Sequence, residues 1–260
     1  MNTHEEILNA TTEYMEGQIK LAMELLEGIR FHKGSPQELA ICLLHTRSIH
    51  LSAGCSAAAK NRAAPCIPIL TRSMWEADIA LDNLIANPGF VNDLQLIFLE
   101  EKKRFTKSAS QGNALLSAVK DLPDFLEITN QMNVAIDGLK KRGYKKKNIE
   151  EQAKDVNRLV EYRSVYAAIS LDCHNNIWSL ESDHINQKSD HSYEFSHYGN
   201  QMVKRATINL MMSVGLLTES ICKTHRFFQT QNSRLDSILG KWISYRQELE
   251  AAYKKISPAF

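Results

Sequence analysis

The stretch Pro68-Ile-Leu-Thr-Arg72-Ser-Met-Trp75-Glu76-Ala-Asp78-Ile-Ala-Leu-Asp82-Asn83-Leu-Ile-Ala-Asn87 is apolar nearly all round. A helix of that composition belongs in an interior. It nevertheless carries Arg72, Glu76, Asp78 and Asp82. At ~100° per residue, Arg72, Glu76, Ile79 and Asn83 fall within about 60° of one another. A polar stripe therefore runs along a helix that the rest of the chain should surround. Asp78 and Asp82 lie on a different part of its circumference.

Working outward, Pro65 and Pro68 punctuate the entry to this helix and Asn87-Pro88-Gly89 closes it. Upstream, Ser35-Pro36-Gln37-Glu38 starts a second helix that runs to about Asn61, with a Ser cap, Pro at the first helical position and Glu three residues after the cap. Its latter half, Ser52 to Ala59, is built of small residues that let a neighbouring helix approach closely. Thr3 and Glu6 form a capping box for a first helix ending near Gly34. Downstream, helices are expected from about Phe90 to Lys107 and from Ala114 to about Leu139, the latter broken at Asp121-Leu122-Pro123. Asn148 caps a short acidic helix over 149–155, and the next helical pattern runs through Leu159, Tyr162, Tyr166, Ile169 and Cys173. A polar segment, 182–198, reads as a long loop. Helices from about Gly199 to Phe228 and from Asn232 to about Ser257 finish the chain.

No strand-like alternation and no fixed repeat is visible. Gly and Pro are few, 11 and 6, and cluster at a handful of breaks. The expectation is an all-α fold, a multi-helix bundle of long antiparallel helices in one domain over residues 1–260. Residues 35–228 would form its core, and 1–34 and 229–260 terminal helices packed on it. Apolar content of 43% and charged content of 23% are those of a globular protein. A formal net charge of +1 argues against a generally cationic nucleic-acid binder. Five cysteines, with no C-x-x-C pair, read as reduced thiols packed as small apolar residues. No signal peptide is evident, and the longest apolar run, Ile208 to Leu217, is too short to span a bilayer. The expected location is cytoplasmic, without membrane attachment.

A second polar stripe lies on the helix from Tyr162 to His174. There Arg163, Ala167, Ser170 and His174 share one face, with Tyr166 at its flank. Arg163 and His174 would be ~16 Å apart along the axis, whereas Ser170 and His174 are one turn apart. The two stripes are expected to face each other and line one pocket, with Arg72 or Glu76 within side-chain reach of Arg163, Ser170 or His174. The competing account is an internal polar network in which Arg72 and Glu76 form an ordinary intrahelical pair.

Other constellations carry less. Ser170 and His174 lack a nucleophile elbow or an oxyanion hole. Asp78 and Asp82 sit at the i, i+4 spacing of a hard-metal pair, but no E-x-x-H pair accompanies them. His184, His191 and His197, with Asp183, Asp190 and Glu194, match no zinc spacing and read as a solvated loop. No metal or cofactor is called for. Lys140, Lys141, Arg142, Tyr144, Lys145, Lys146 and Lys147 form a basic block that would attract a phosphate backbone, with Tyr144 available to stack on a base. The alternative is a solvated turn balanced by Glu150, Glu151 and Asp155.

Taken together, Arg72-Ser73-x-x-Glu76 with the apolar run ending in Asn87-Pro88, and Tyr162-Arg163 followed by Ser170 and His174, resemble the two motifs of the domain of unknown function family 5677. The resemblance spans roughly Ser35 to Phe228. It implies an all-helical intracellular bacterial protein with Arg72, Glu76, Arg163, Ser170 and His174 as shared polar positions, and it supplies no activity. Asn175-Asn176 stand where that family usually carries a small residue soon after the His. Small helical RNases of the HEPN type, common in antiviral defence, are a weaker likeness. They place an Arg and a His four to six residues apart on one helix. Here Arg163 and His174 have ten residues between them, and Arg47 and His50 two, so that spacing is absent.

Two functions remain open at this level. The first is a nucleic-acid- or nucleotide-directed effector, possible in phage defence, acting as a metal-independent RNase or other phosphodiester-directed hydrolase on RNA or a nucleotide. Arg72 and Arg163 would bind phosphate, with Glu76 and Ser170 beside them, and His174 would transfer protons. The second is a non-catalytic module that binds a small ligand or a protein partner. A homodimer is compatible with either.

Overall fold

The computed structural model describes residues 1, 3–32, 34–173, 177–188, 191–196 and 198–256. Among these residues the fold is all-α apart from one short hairpin. Helix α1 (His4–Leu26) begins as its capping sequence demands, with Thr3 Oγ1 accepting from the Glu6 amide at 3.1 Å. Helix α2 (Pro36–Lys60) starts on Ser35, whose hydroxyl accepts from the Glu38 amide at 3.3 Å. The apolar stretch forms α3 (Cys66–Ala86). Together with the long α11 (Asn200–Phe227), these helices pack around one core in which Met15, Cys55, Met74, Ile79, Leu210, Val214 and Leu217 are fully buried. The last helix, α12 (Asn232–Ile256), lies on α11 and α1.

The small residues of α2 do let α3 come close. A Cβ on Gly54 would sit 3.2 Å from the Leu70 side chain, and Ser52 Oγ lies 3.8 Å from Met74 Sδ. A second cluster, Ile41, Leu81, Leu84 and Phe90, joins α2 and α3 to the start of α4 (Phe90–Ser110). Beyond it α4 leaves the bundle. It turns through a 3-10 segment (Ala114–Leu116) and the short α5 (Ser117–Lys120), then returns as α6 (Phe125–Lys141). This arm has a small core of its own: Leu96, Met132, Ile136 and Leu139. The break expected at Asp121 to Pro123 is present, but α6 restarts at Phe125.

Asn148 caps α7 (Ile149–Asp155) with a complete capping box: its side chain accepts from the Glu151 amide at 2.9 Å, and its own amide donates to Glu151 at 2.7 Å. The segment read as one regular helix through Cys173 is interrupted. A single turn, α8 (Leu159–Glu161), widens into a π-helical turn (Tyr162–Tyr166) before α9 (Ala167–Cys173).

The long loop expected over 182–198 needs correcting. Its start is the end of α10 (Ile177–His184), and β1 (Ile185–Gln187) then pairs antiparallel with β2 (Tyr193–Phe195), Ile185 opposite Phe195. Three residues per strand are too few to show a period of two in the sequence. The connection turns at His191, which takes a left-handed φ of 64°, and the Lys188 amide donates to Ser192 O at 2.8 Å. His184 stacks on Phe195 at 5.5 Å and meets Ser196 O through Nδ1 at 2.9 Å. A metal at the loop histidines would have to displace these contacts. Gly199 follows because a Cβ there would lie 2.5 Å from the Asp183 carbonyl oxygen. Asp190, His197 and the Asn175-Asn176 pair lie outside the described residues. Among those residues, no helix is long and apolar enough to cross a membrane.

Two buried imidazoles tie α2 to the α11–α12 turn. His45 Nδ1 is 2.9 Å from Ser220 Oγ, His225 Nδ1 is 2.7 Å from Thr230 Oγ1, and the rings meet edge to face at 6.1 Å. Burial, then the neighbouring His225, pulls the His45 pKa down to about 4; burial also lowers that of His225. Both rings stay neutral in the folded state where an unfolded chain would take up protons. Stability is therefore complete above about pH 6.5 and falls as the pH drops toward 4, by about 3 kcal/mol for His45 alone. In urea titrations at stepped pH, His45→Asn should flatten the stability profile between pH 6.5 and 4; an unchanged slope would assign the acid sensitivity elsewhere.

Candidate functional site

The polar stripe of α3 does meet the helix that carries the second motif, through a residue the sequence put at its flank. Tyr166, at the end of the π-helical turn, points inward. Its hydroxyl donates to Glu76 Oε1 at 2.7 Å and accepts from Arg72 Nε at 2.9 Å. Arg72 Nε also lies 3.2 Å from Glu76 Oε1, and the guanidinium sits 5.1 Å from the centre of the Tyr166 ring. The aromatic side is completed by Trp75, 5.0 Å from Tyr166, and by Tyr162, stacked on Tyr166 at 5.1 Å. Burial, reinforced by the Glu76 carboxylate, pushes the Tyr166 pKa up to about 12, so its proton stays in place as a donor to Glu76. Burial opposes the charge on Arg72, yet Tyr166 and Glu76 hold its pKa above the ordinary value.

The other expected members are placed differently. Arg163 is exposed and turned toward α7, where it pairs with Glu150 at 3.1 Å. Ser170 is half-buried on α9. His174 lies outside the described residues. The stripe through Arg163, Ser170 and His174 assumed a constant 100° per residue. A π-helical turn bonds i to i+5 and adds a residue to the turn, which breaks that phase between Arg163 and Ser170. Such turns recur at functional sites.

A second group on α3 was left unassembled by the sequence. Asp78 is 1% exposed. Arg158 Nη1 binds both Asp78 and Asp82, the latter at 2.8 Å, and its Nε meets Glu161 at 2.6 Å. From α11, Lys223 reaches Asp78 at 2.8 Å, Asp82 at 2.9 Å and Glu219 at 3.3 Å. Arg158 also lies over the Trp75 ring at 5.5 Å. Burial works against charge on both cations, but Asp78 and its neighbours outweigh it and raise both pKa values. The two carboxylates that offered a metal spacing are thus occupied by an arginine and a lysine from two other elements. Asp82 one turn after Asp78 was the available signal; its partners, 76 and 141 residues downstream, had none.

The basic block is partly neutralised. Lys140 pairs with Glu100 at 2.6 Å, Lys146 with Glu101, and Lys147 with Asp155 at 2.8 Å and Asp93 at 3.5 Å. The Lys145 amide donates to Asp93 at 3.0 Å. Tyr144 packs against the core of the arm with Arg142 over its ring at 5.5 Å. Among the described residues, Lys141, Arg142 and Lys145 have no acidic side-chain partner.

Two cavities flank the Trp75–Tyr166 contact. One, of about 410 Å³, is lined by Arg47, Arg72, Ser73, Glu76, Gln152 and Tyr166 with Leu44, Ala80, Leu94 and Ile97. The other, of about 590 Å³, opens between α9, α11 and α12. Removing the charge of Asp78 while keeping its shape takes away the buried carboxylate that Arg158 and Lys223 share and leaves them Asp82, Glu161 and Glu219, which are more exposed. Asp78→Asn should therefore cost about 3 kcal/mol in urea unfolding, whereas Tyr166→Phe, which deletes one shared hydroxyl at a half-exposed pair, should cost about 1 kcal/mol. Equal effects would remove the distinction between a structural cluster and a site.

The comparisons with known proteins bear on this geometry. The model of the family of unknown function DUF5677 matches residues 38–192, a span that holds Arg72, Glu76, Arg158 and Tyr166. No curated protein matches the chain, and no solved structure does.

Proposed function

The chain belongs to the family of unknown function DUF5677, and from that premise we propose that it recognises a small anionic ligand in the cavity headed by Arg72. The observation that carries this reading is the meeting of two guanidinium groups in one cavity of about 410 Å³. Arg72 is oriented by Tyr166 and Glu76, while Arg47 enters from α2 with no acidic partner among the described residues. A planar guanidinium presents a fork of donors that matches a phosphate or carboxylate. The apolar floor, Leu44, Ala80, Leu94 and Ile97, suits the body of such a ligand, and the volume falls in the range of small-molecule sites. Glu76 adds an acceptor at the same mouth, so a ligand carrying both an anion and a donor fits better than a bare anion.

A second reading, the phosphodiester-directed effector of phage defence acting on RNA, draws support from Lys141, Arg142 and Lys145. It asks Arg163 to leave Glu150 and the block to act with three of its lysines already paired. Isothermal titration with nucleoside monophosphates and dicarboxylates separates the two. Under the first reading at least one of these binds, and Arg72→Gln weakens it more than tenfold while Lys141→Gln, Arg142→Gln and Lys145→Gln together leave it unchanged. RNA cleavage by the wild-type chain, with none of these small anions bound, would replace the first reading by the second.

A further inference from the structure

The larger cavity shares no lining residue with the Arg72 cavity, and much of its wall comes from α11 and α12, beyond the residues matched by the family. Its floor is apolar and buried: Trp75, Ile169, Leu216 and Trp242 are each less than a tenth exposed. Met211, Met212 and Ile208 continue the wall toward the mouth. Gly215 keeps that floor open, because a Cβ there would reach the Trp242 ring at 3.4 Å.

The charges at its two ends differ. At the α3 end, Arg158 and Lys223 together meet four carboxylates, Asp78, Asp82, Glu161 and Glu219, so the cluster carries two negative charges in excess. Both line the cavity and both are about half exposed. At the α12 end, Arg246 is paired with Glu250 at 3.2 Å and Lys254 adds a positive charge. Apolar walls and surplus negative charge at one end select an organic cation with a long apolar body: the charge goes to the carboxylates and the body along Trp242, since Arg158 already covers the Trp75 ring.

We propose that this cavity binds a hydrophobic amine, its protonated nitrogen between Glu161 and Glu219 and its apolar body along Trp242 and Met212. Although the Glu219 side chain is half exposed as a whole, desolvation of its carboxyl against the cavity wall, then the Asp78 charge, raise its pKa above the ordinary carboxylate value, and an incoming cation relieves that penalty. Arg158 and Lys223 remain bound to the aspartates beneath, while Glu161, 2.6 Å from Arg158 Nε, and Glu219, 3.3 Å from Lys223, each keep a second carboxylate oxygen for the ammonium.

The test uses three probes on the full chain below their micellar concentrations: n-decylamine, decyltrimethylammonium and decanoate. Titration calorimetry should show saturable one-to-one binding of decylamine and no binding of decanoate. Glu161→Gln with Glu219→Gln, which keeps both shapes, should weaken decylamine at least tenfold, and Ile208→Trp, which narrows the mouth, should do the same. A lesser response of decyltrimethylammonium to the glutamine variants would support hydrogen bonding from the nitrogen. Decanoate binding as tightly as the amine, or amine binding indifferent to both sets of variants, would overturn the proposal. Circular dichroism of each variant must match the wild type, and Met212→Trp replaces Ile208→Trp if that variant unfolds.

Discussion

The pairing of Asp78 and Asp82 with Arg158 and Lys223 is the interaction on which the arrangement around α3 rests. Burying a carboxylate at 1% exposure is costly unless its charge is met. Here it is met by one cation at the N-terminal cap of α8, Arg158, and one from α11, Lys223. Those elements do not adjoin in sequence, so the cluster fixes where α8 begins and how α11 lies on α3. A shift of either along α3 would strand a charge in the interior. The cluster is thus better evidence for specificity of register than for net stability.

That fixed register determines what lies on either side. Arg158 is held over Trp75, Trp75 contacts Tyr166, and Tyr166 bridges Arg72 and Glu76. The aromatic contact divides the seam into an arginine-headed cavity and an apolar one with acidic excess. The π-helical turn is part of the same construction. By adding a residue before α9 it brings Tyr166 inward while Val165 and Ile169 line the other cavity.

Much of the architecture is legible in the sequence because local chemistry specifies it. Thr3, Ser35 and Asn148 each start the helix they announce, and the apolar run after Pro65 becomes the central helix. One wall of the seam was legible, since Arg72 and Glu76 lie one turn apart on a helix that its apolar residues place in the core. Its other wall was not. Tyr166 could be read only as a flank because nothing in Tyr162-Arg163-Ser164-Val165-Tyr166 declares a π-helical turn; that choice follows from what packs against it. Lys223 and Arg158 were invisible for a different reason: a cation in an amphipathic helix looks solvated until the partner helix is placed. The short hairpin escaped because three-residue strands carry no readable alternation.

The arm built from α4, α5 and α6 has a consequence for motion. Its own core is four buried side chains, while the bundle beside it buries a far larger set. Free energy of opening follows the apolar contact that is lost. The arm should therefore come apart as a separate unfolding unit, on a shorter timescale than the bundle, with amide exchange at Met132 and Ile136 in the middle of α6 outpacing that at Met74. Because Leu94 and Ile97, at the base of this arm, form part of the arginine-headed cavity, that cavity has one wall drawn from the less stable unit. Its breathing can proceed without disturbing the ionic cluster on the opposite face of α3.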